Sequence, residues 1–270
     1  MTLNSICLGI IGGGVMAEAI LSRLLTQEVF PAAQVLVSEP QSQRRNFLQQ
    51  QYKVKVTSDN QVAISDSEIL LLAIKPQVFD MAIAPLTQNP DSTIISILAG
   101  VTLSKLEAAF PQQPVIRAMP NTPATVGEAM TAIALGKQAR SQHLQQAKSI
   151  FEAIGEVVEV PEASMNAVTG LSGSGPAFIA IAIEALADGG VASGLPRAIA
   201  LKLATQTVLG TAVLVRESGM HPGELKDRVT SPGGTTIAGV AQLEKAGFRS
   251  ALIEAVKAAT ERSQQLGQSN

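Results

Sequence analysis

From Ile6 to Val160, short apolar runs alternate with stretches of helix length, the pattern of repeated βα units that build a mostly parallel sheet. The spacing predicts strands over Ile6–Ile11, Val35–Ser38, Ile69–Ile74, Thr93–Ile97 and Val115–Arg117. The inner runs are too continuously apolar to have a wet face, so they belong in a sheet covered on both sides. Each run ends in a turn signal: Gly12-Gly13-Gly14, Glu39-Pro40, Lys75-Pro76, Ala99-Gly100 and Pro120-Asn121. In open α/β sheets, ligand groups gather at such strand ends. After Pro161 the strand signals vanish and helical periodicity runs to Gln265, which predicts a second, all-helical domain.

That second domain has too little polar surface. Between Ala163 and Val213 the charged residues are Glu184, Asp188, Arg197 and Lys202, so the expected helices Gly175–Val191 and Pro196–Arg216 are apolar nearly all round. Such helices must be buried, and a domain of about 100 residues is too small to hide two of them alone. Subunit association is the simplest remedy; placing both helices centrally within one monomer is the alternative.

Gly12-Gly13-Gly14-Val15-Met16-Ala17 fits G-x-G-x-x-A, directly after the first strand and before a helix expected over Met16–Leu25. That context marks a dinucleotide phosphate loop in a Rossmann-like domain. The first glycine allows the tight turn, Gly14 lets backbone approach a pyrophosphate, and small Ala17 lets helix pack on strand. The second strand ends at Ser38-Glu39, where an acid would hydrogen-bond an adenosine ribose and favour NAD. Arg44 and Arg45 follow closely and could pair with a 2′-phosphate, which favours NADP instead.

Composition removes other classes. The net charge of −2, with 3% aromatics and no Trp, argues against a nucleic-acid partner. The lone Cys7 lies in an apolar run, where a small buried hydrophobe in a reducing compartment is expected. The N-terminal stretch lacks a basic n-region and cleavage site, and no apolar run is read as approaching the ~20 residues a membrane span needs; the expectation is a soluble, cytoplasmic protein with no membrane partner. His143 and His221 have no partners at ligand spacing, so no metal site is expected: His143 reads as a surface helix residue and His221 as part of a turn with Pro222. There is no G-x-S-x-G elbow either. Hydride transfer is then the natural chemistry, because the cofactor supplies the reactive group.

Two further loops suit the orientation of a substrate. Arg117-Ala118-Met119-Pro120-Asn121-Thr122-Pro123-Ala124 is stiffened by two prolines, and Asn121 can offer an amide where a nicotinamide or substrate would lie. Ser231-Pro232-Gly233-Gly234-Thr235-Thr236 leads into a helix running to about Ala246, whose unpaired amides and two hydroxyls form a receptor for a small carboxylate. A plain turn and a helix cap are the bland alternatives.

With these motifs assembled, the chain closely resembles the pyrroline-5-carboxylate reductase family over nearly all its length. The resemblance rests on Gly9–Ala17, Ala73-Ile74-Lys75-Pro76-Gln77, Ala99-Gly100-Val101-Thr102, Arg117–Ala124 and Gly170–Phe178. Most telling are His221-Pro222-Gly223-Glu224-Leu225-Lys226-Asp227 and Ser231–Thr236. It implies an N-terminal Rossmann dinucleotide-binding domain (residues 1–161) and a C-terminal helical dimerisation and substrate domain (162–270). It also implies homodimers through that domain, often assembled into decamers, with the active site shared between one chain's Rossmann domain and its partner's helical domain. The implied activity is NADPH-dependent reduction of 1-pyrroline-5-carboxylate to L-proline, with NADH as a second candidate donor. By position, Gly12, Gly14, Val15, Met16, Ser38, Asn60, Ala73, Lys75, Pro76, Ala99 and Asn121 look like cofactor contacts. Glu162, Ser231, Gly234, Thr235 and Thr236 look like the substrate side, with Thr236 hydrogen-bonding the ring nitrogen as the catalytic group. The resemblance carries one departure: members often end the second strand with a neutral Ser or an Asn-Arg type of sequence, whereas Glu39 adds a negative charge near the expected 2′-phosphate. The rival enzyme class is a β-hydroxyacid dehydrogenase using Lys202, and the non-enzymatic rival is an NADP-binding regulator.

Overall fold

The computed structural model describes residues 6–84, 86, 87 and 89–268, so the first residues of the N-terminal stretch read above for a leader lie outside the described range. The chain divides into two compact units: residues up to Ser174 together with the stretch from Ala258 onward, and Gly175–Lys257.

In the first unit the elements run β1 (Ile6–Ile11), α1 (Val15–Thr26), β2 (Val35–Ser38), α2 (Ser42–Tyr52), β3 (Lys55–Thr57), α3 (Asn60–Asp66), β4 (Ser67–Leu72), α4 (Phe79–Ile83), β5 (Thr93–Ser96), α5 (Leu103–Ala109), β6 (Val115–Met119), β7 (Ala129–Leu135), α6 (Ser141–Phe151) and β8 (Gly155–Glu159). Among the described residues these strands form one sheet in the order β3-β2-β1-β4-β5-β6-β7-β8. The pairing is parallel except between β6 and β7. The strand order reverses between β1 and β4, so the crevice beyond their carboxyl ends is the topological switch point.

Pleating explains why the inner strands are apolar throughout. Leu71 and Ile95 face a layer built from Ile20 and Leu24 of α1 and Ile150 and Phe151 of α6. Their neighbours Leu70, Leu72 and Ile94 face Ile64, Phe79, Leu106 and Phe110 on the other side. Each fully buried Leu or Ile contributes about 1.5–3 kcal/mol relative to exposure.

The strands expected from sequence are present, with β4 shifted to Ser67–Leu72, β5 ending at Ser96 and β6 extended to Met119. The pattern missed β3, β7 and β8. β3 and β8 are mostly solvent-touched edge strands with polar residues, and β7 is rich in Ala, so none carries a continuous bulky apolar run. Cys7 is half-buried rather than fully buried, and its thiol donates to Gln34 Oε1 at 3.3 Å. Burial, with the Glu68 charge behind it, pushes that thiol above its ordinary pKa.

After β8, α7 (Met165–Val168) passes through a π-helical turn at Thr169–Gly173, still within the first unit. The helical unit then holds α8 (Gly175–Ala192), α9 (Arg197–Ser218), α10 (Pro222–Arg228), α11 (Thr235–Lys245) and the start of α12 (Phe248–Gln268). The end of α12 belongs to the first unit, where Ser263 Oγ donates to Asn166 Oδ1 at 2.8 Å. The compact division therefore falls some residues after the expected break at 161/162 and returns the C-terminal stretch to the sheet unit.

The helices α8 and α9 are not hidden within this chain. Their small contact is made by Ala187, Ala200 and Ala204, while Ile181, Leu203 and Leu209 are each more than half exposed. The expectation about membrane-length runs needs correcting, because Glu162–Ala192 and Arg197–Ser218 are both long and apolar enough to cross a bilayer by length and composition. The sequence reading missed this because it counted uninterrupted apolar residues, and scattered Gly, Ser and Thr break such a count without adding charge.

Candidate functional site

The sheet unit carries a candidate site at the switch point. Gly12 has φ of 101°, and a Cβ there would come within 2.6 Å of the Ala73 carbonyl oxygen, so the tight turn requires glycine. Its N–H donates to Ser38 O at 2.8 Å, which ties the turn to the end of β2. Gly14 caps α1 with φ −70° and ψ −176° and no side-chain cap. Beyond it a Cβ would meet nothing within 4 Å, and Val15 is 77% exposed. The first-turn amides of Val15 and Met16 have no acceptor among the described residues. Open backbone, free N–H groups and the positive end of α1 fit the pyrophosphate of a dinucleotide.

The acid and arginines at the end of β2 have particular destinations. Glu39 is turned inward and only 9% exposed. Its Oε2 accepts the Gly13 N–H at 2.9 Å and its Oε1 accepts the Gln41 N–H at 2.9 Å. Arg44 Nε donates to Gly13 O at 2.6 Å, and its Nη2 pairs with Glu18. Arg45 Nη1 donates to the carbonyls of Glu39 and Pro40 at 2.7 and 2.8 Å. Tyr52 donates to Glu18 Oε1 at 2.8 Å. Burial pushes the Glu18 carboxyl up, but the bonds from Arg44 and Tyr52 and the Arg44 charge outweigh it and hold it below its ordinary value.

The other expected cofactor positions line the neighbouring strand ends. Ser38 Oγ donates to Asn60 Oδ1 at 2.6 Å, and Asn60 donates on to Ala82 O, so this pair braces β2 against α3. Ala73 follows β4 and donates its N–H to Ile11 O, while exposed Lys75 precedes the short turn opened by Pro76. Ala99 is exposed after β5. Asn121 does not present a free amide: its Nδ2 donates to Ser172 O and Oγ at 3.1 and 3.3 Å, and its Oδ1 accepts the Met130 N–H at 3.0 Å. Those bonds fix the Pro120–Pro123 loop on the turn before α8, a role that sequence could not distinguish from ligand contact.

Glu162 also lies in the sheet unit. Its Oε1 accepts from Leu103 N at 2.5 Å and from Arg117 Nη1 at 3.2 Å, while Oε2 has no partner among the described residues. Arg117 is buried, which lowers its pKa, and Glu162 works against that shift. Sequence reasoning missed Arg117 as the reason an acid stands at 162.

In the helical unit, Gly234 caps α11 with φ −80° and ψ 177°, again without a side-chain cap. Gly233, at φ 67°, turns the chain, and Gly234 N donates to Ser231 O at 3.1 Å. The hydroxyls of Thr235 and Thr236 and the first-turn amides have no partners among the described residues. This is the donor set that a small carboxylate needs. Lys202 stands exposed on α9. His221 caps α10 by accepting the Gly223 N–H at 3.1 Å, and His143 accepts the Arg140 N–H at 2.9 Å at the start of α6, where burial and the Arg140 charge lower its pKa. The helical unit also has a cleft of about 550 Å³ with an apolar floor including Leu243, Phe248 and Ile253, which contains none of the expected site residues.

Comparison with known proteins supplies the context for this geometry. Residues 162–266 match the family model for pyrroline-5-carboxylate reductase dimerisation, and residues 7–100 match that for NADP oxidoreductase, coenzyme F420-dependent. The chain is 61% identical to pyrroline-5-carboxylate reductase of Synechocystis sp., covering 97% of this chain and 99% of the relative. It is 45% identical to that of Arabidopsis thaliana, covering 98% and 97%. Among solved structures, a pyrroline-5-carboxylate reductase from Coxiella burnetii superposes with a TM-score of 0.89 at 32% identity over 97% of this chain and 99% of that one. A Plasmodium falciparum pyrroline carboxylate reductase with NADP bound superposes with a TM-score of 0.88 at 29% identity over 98% and 99%.

Proposed function

The chain belongs to the pyrroline-5-carboxylate reductase family, and from that premise we propose how its residues reduce 1-pyrroline-5-carboxylate to L-proline, the closing step of proline biosynthesis. The observation that carries the reading is the 61% identity sustained over 97% of the chain. NADPH is the cofactor, and when bound it supplies the hydride that reduces the C=N bond.

The glycine loop holds the pyrophosphate through Gly14, Val15 and Met16, with Ala73, Lys75, Pro76 and Ala99 along the neighbouring strand ends. The amides opening α11, with Ser231 and Thr235, hold the substrate carboxylate, and positioning of this kind contributes several kcal/mol to the rate. Thr236 accepts a hydrogen bond from the ring N–H. With the substrate bound as its iminium, the nitrogen proton enters with it, and Ser231–Thr236, which contains no carboxyl, imidazole or ammonium group, is not required to supply one. The free Oε2 of Glu162 is the substrate-side acceptor in this reading, while Oε1 stays with Arg117.

The dimerisation match over 162–266 supports self-association through the helical region. We propose that the exposed apolar faces of α8 and α9 meet a second copy, that the dimers assemble further into decamers, and that the enzyme works in the cytoplasm. Sedimentation velocity reads the assembly state directly.

The test of the activity is oxidation of NADPH and, separately, NADH with 1-pyrroline-5-carboxylate as acceptor, followed by nicotinamide absorbance. Turnover with proline formed in equal amount is expected. Folded protein that binds NADPH without turnover would instead be the regulator.

A further inference from the structure

The acid at the end of β2 does not do what its position in a Rossmann unit suggests. An acid there ordinarily hydrogen-bonds the adenosine ribose and selects NAD. Glu39 instead gives both carboxylate oxygens to backbone amides, Gly13 and Gln41, each at 2.9 Å. The packing is direct, since a Cβ on Gly13 would lie 3.2 Å from Glu39 Oε2 and 2.8 Å from Leu48 Cδ1. Arg44 Nε donates to the Gly13 carbonyl oxygen at 2.6 Å. Arg44 is itself fixed, by its ion pair with Glu18 and by stacking 5.0 Å above the Phe47 ring.

We propose that Glu39 and Arg44 are positioning residues of the glycine loop, which set the affinity for the dinucleotide and not the choice between NADPH and NADH. The inference rests on the glycine loop being the pyrophosphate site. A trans peptide places its C=O and N–H on opposite sides. With the Gly13 carbonyl drawn onto Arg44, the Gly14 N–H of the same peptide is directed away from Arg44, and nothing lies within 4 Å of a Gly14 Cβ. The charge on Arg44 also polarises that peptide towards an anion. Glu39 locks the preceding peptide, so the loop is held before a ligand arrives. Glu39 cannot turn to a ribose without giving up both of its bonds, and Arg44 cannot swing away from the loop without giving up the Gly13 carbonyl and Glu18. A preformed loop binds the pyrophosphate common to both cofactors, so losing it weakens both by the same factor.

The experiment measures dissociation constants for NADPH and for NADH by nicotinamide fluorescence on the full-length protein. It compares wild type with Glu39→Ser, Glu39→Gln, Arg44→Met and Arg44→Lys, and adds steady-state kinetics and a thermal midpoint for each. Glu39→Ser and Arg44→Met are expected to weaken both cofactors about tenfold, the size of one lost charge-assisted bond. Their NADPH-to-NADH ratio should stay within about twofold, and the loss should fall on the cofactor KM more than on kcat or the substrate KM. Glu39→Gln, which keeps one acceptor oxygen, should recover part of the loss. A Glu39→Ser variant that gains NADPH while losing NADH would overturn the proposal in favour of ribose selection, as would unchanged affinities in all four variants. If wild type bound neither cofactor, the glycine-loop reading itself would fall, a result separable from these because it does not depend on the variants.

Discussion

Two helix starts in this molecule have nearly the same backbone and very different support. Gly14 caps α1 at φ −70°, ψ −176°, and Gly234 caps α11 at φ −80°, ψ 177°; neither has a side-chain cap, and both leave first-turn amides open. The first is braced by charged side chains, Glu39 and Arg44, acting on a glycine peptide. The second is shaped by backbone alone, through Gly233 at positive φ and the bond from Gly234 N to Ser231 O, and it adds two free hydroxyls. On the proposed reading, the α1 start holds a doubly charged group in one pose. The α11 start suits a smaller anion, with hydroxyls that can adjust to a neighbouring N–H.

The comparison breaks most visibly at the caps themselves. Gly14→Val should weaken NADPH by about 100-fold or more, because bulk enters the pyrophosphate path. The backbone there is extended and the space is open, so the thermal midpoint should hold. Calorimetric titration with NADPH checks the first point and differential scanning calorimetry the second; normal affinity would remove the phosphate assignment. At the other cap, Thr236→Ala should lower kcat by about 10- to 100-fold, the range for one hydrogen bond to a charged group, with little change in NADPH affinity. Lys202→Met should retain most activity. The opposite pattern between these two variants would point to the β-hydroxyacid dehydrogenase chemistry.

Both caps could be seen in the sequence, yet their supports could not. The glycine loop stood out because a continuous apolar strand ran directly into it and a helical pattern out of it. The central strands were visible for the same reason, being apolar on both faces. Edge strands β3 and β8 carry too few bulky residues for any period to emerge, and β7 hides because Ala favours helices and is depleted in strands, so its Ala-rich run carries no strand signal. Side-chain destinations are harder still. Glu39 reaches Gly13 across 26 residues of sequence and Glu162 reaches Arg117 across 45, and nothing in local spacing tells an acid that faces a ligand from one that faces a buried partner.

Glu162 offers a further way to separate support from contact. Glu162→Gln leaves the buried Arg117 guanidinium without its counter-charge, and since Glu162 is itself about one-third exposed the cost should be about 1–3 kcal/mol, below that of a fully buried pair. Denaturant titration measures it. A rise in substrate KM at unchanged cofactor KM would assign Oε2 to the substrate; a stability loss alone would confine the residue to holding Arg117.

The smallest effect expected is an acid limb on cofactor binding. Glu18 anchors Arg44, and its carboxyl titrates below the ordinary value because the bonds from Arg44 and Tyr52 outweigh its desolvation. For a group whose folded pKa is depressed, the stabilisation is fully present above the unfolded value and is lost as pH falls through the folded one. The brace on the Gly13 carbonyl should therefore hold at neutral pH and slacken only towards the bottom of the carboxylate range. Affinity for NADP⁺, which withstands acid better than the reduced form, should fall a few-fold there beyond what protonation of the ligand phosphates produces. Glu18→Gln should already show most of that loss at neutral pH and a flatter profile below it, because its side chain has no charge left to lose. The comparison with α11 sharpens the point: Ser231–Thr236 contains no ionisable side chain, so the part of the limb that disappears in Glu18→Gln should be absent from substrate KM measured at saturating cofactor. A limb of equal size in both constants would place its origin outside the Arg44 anchor.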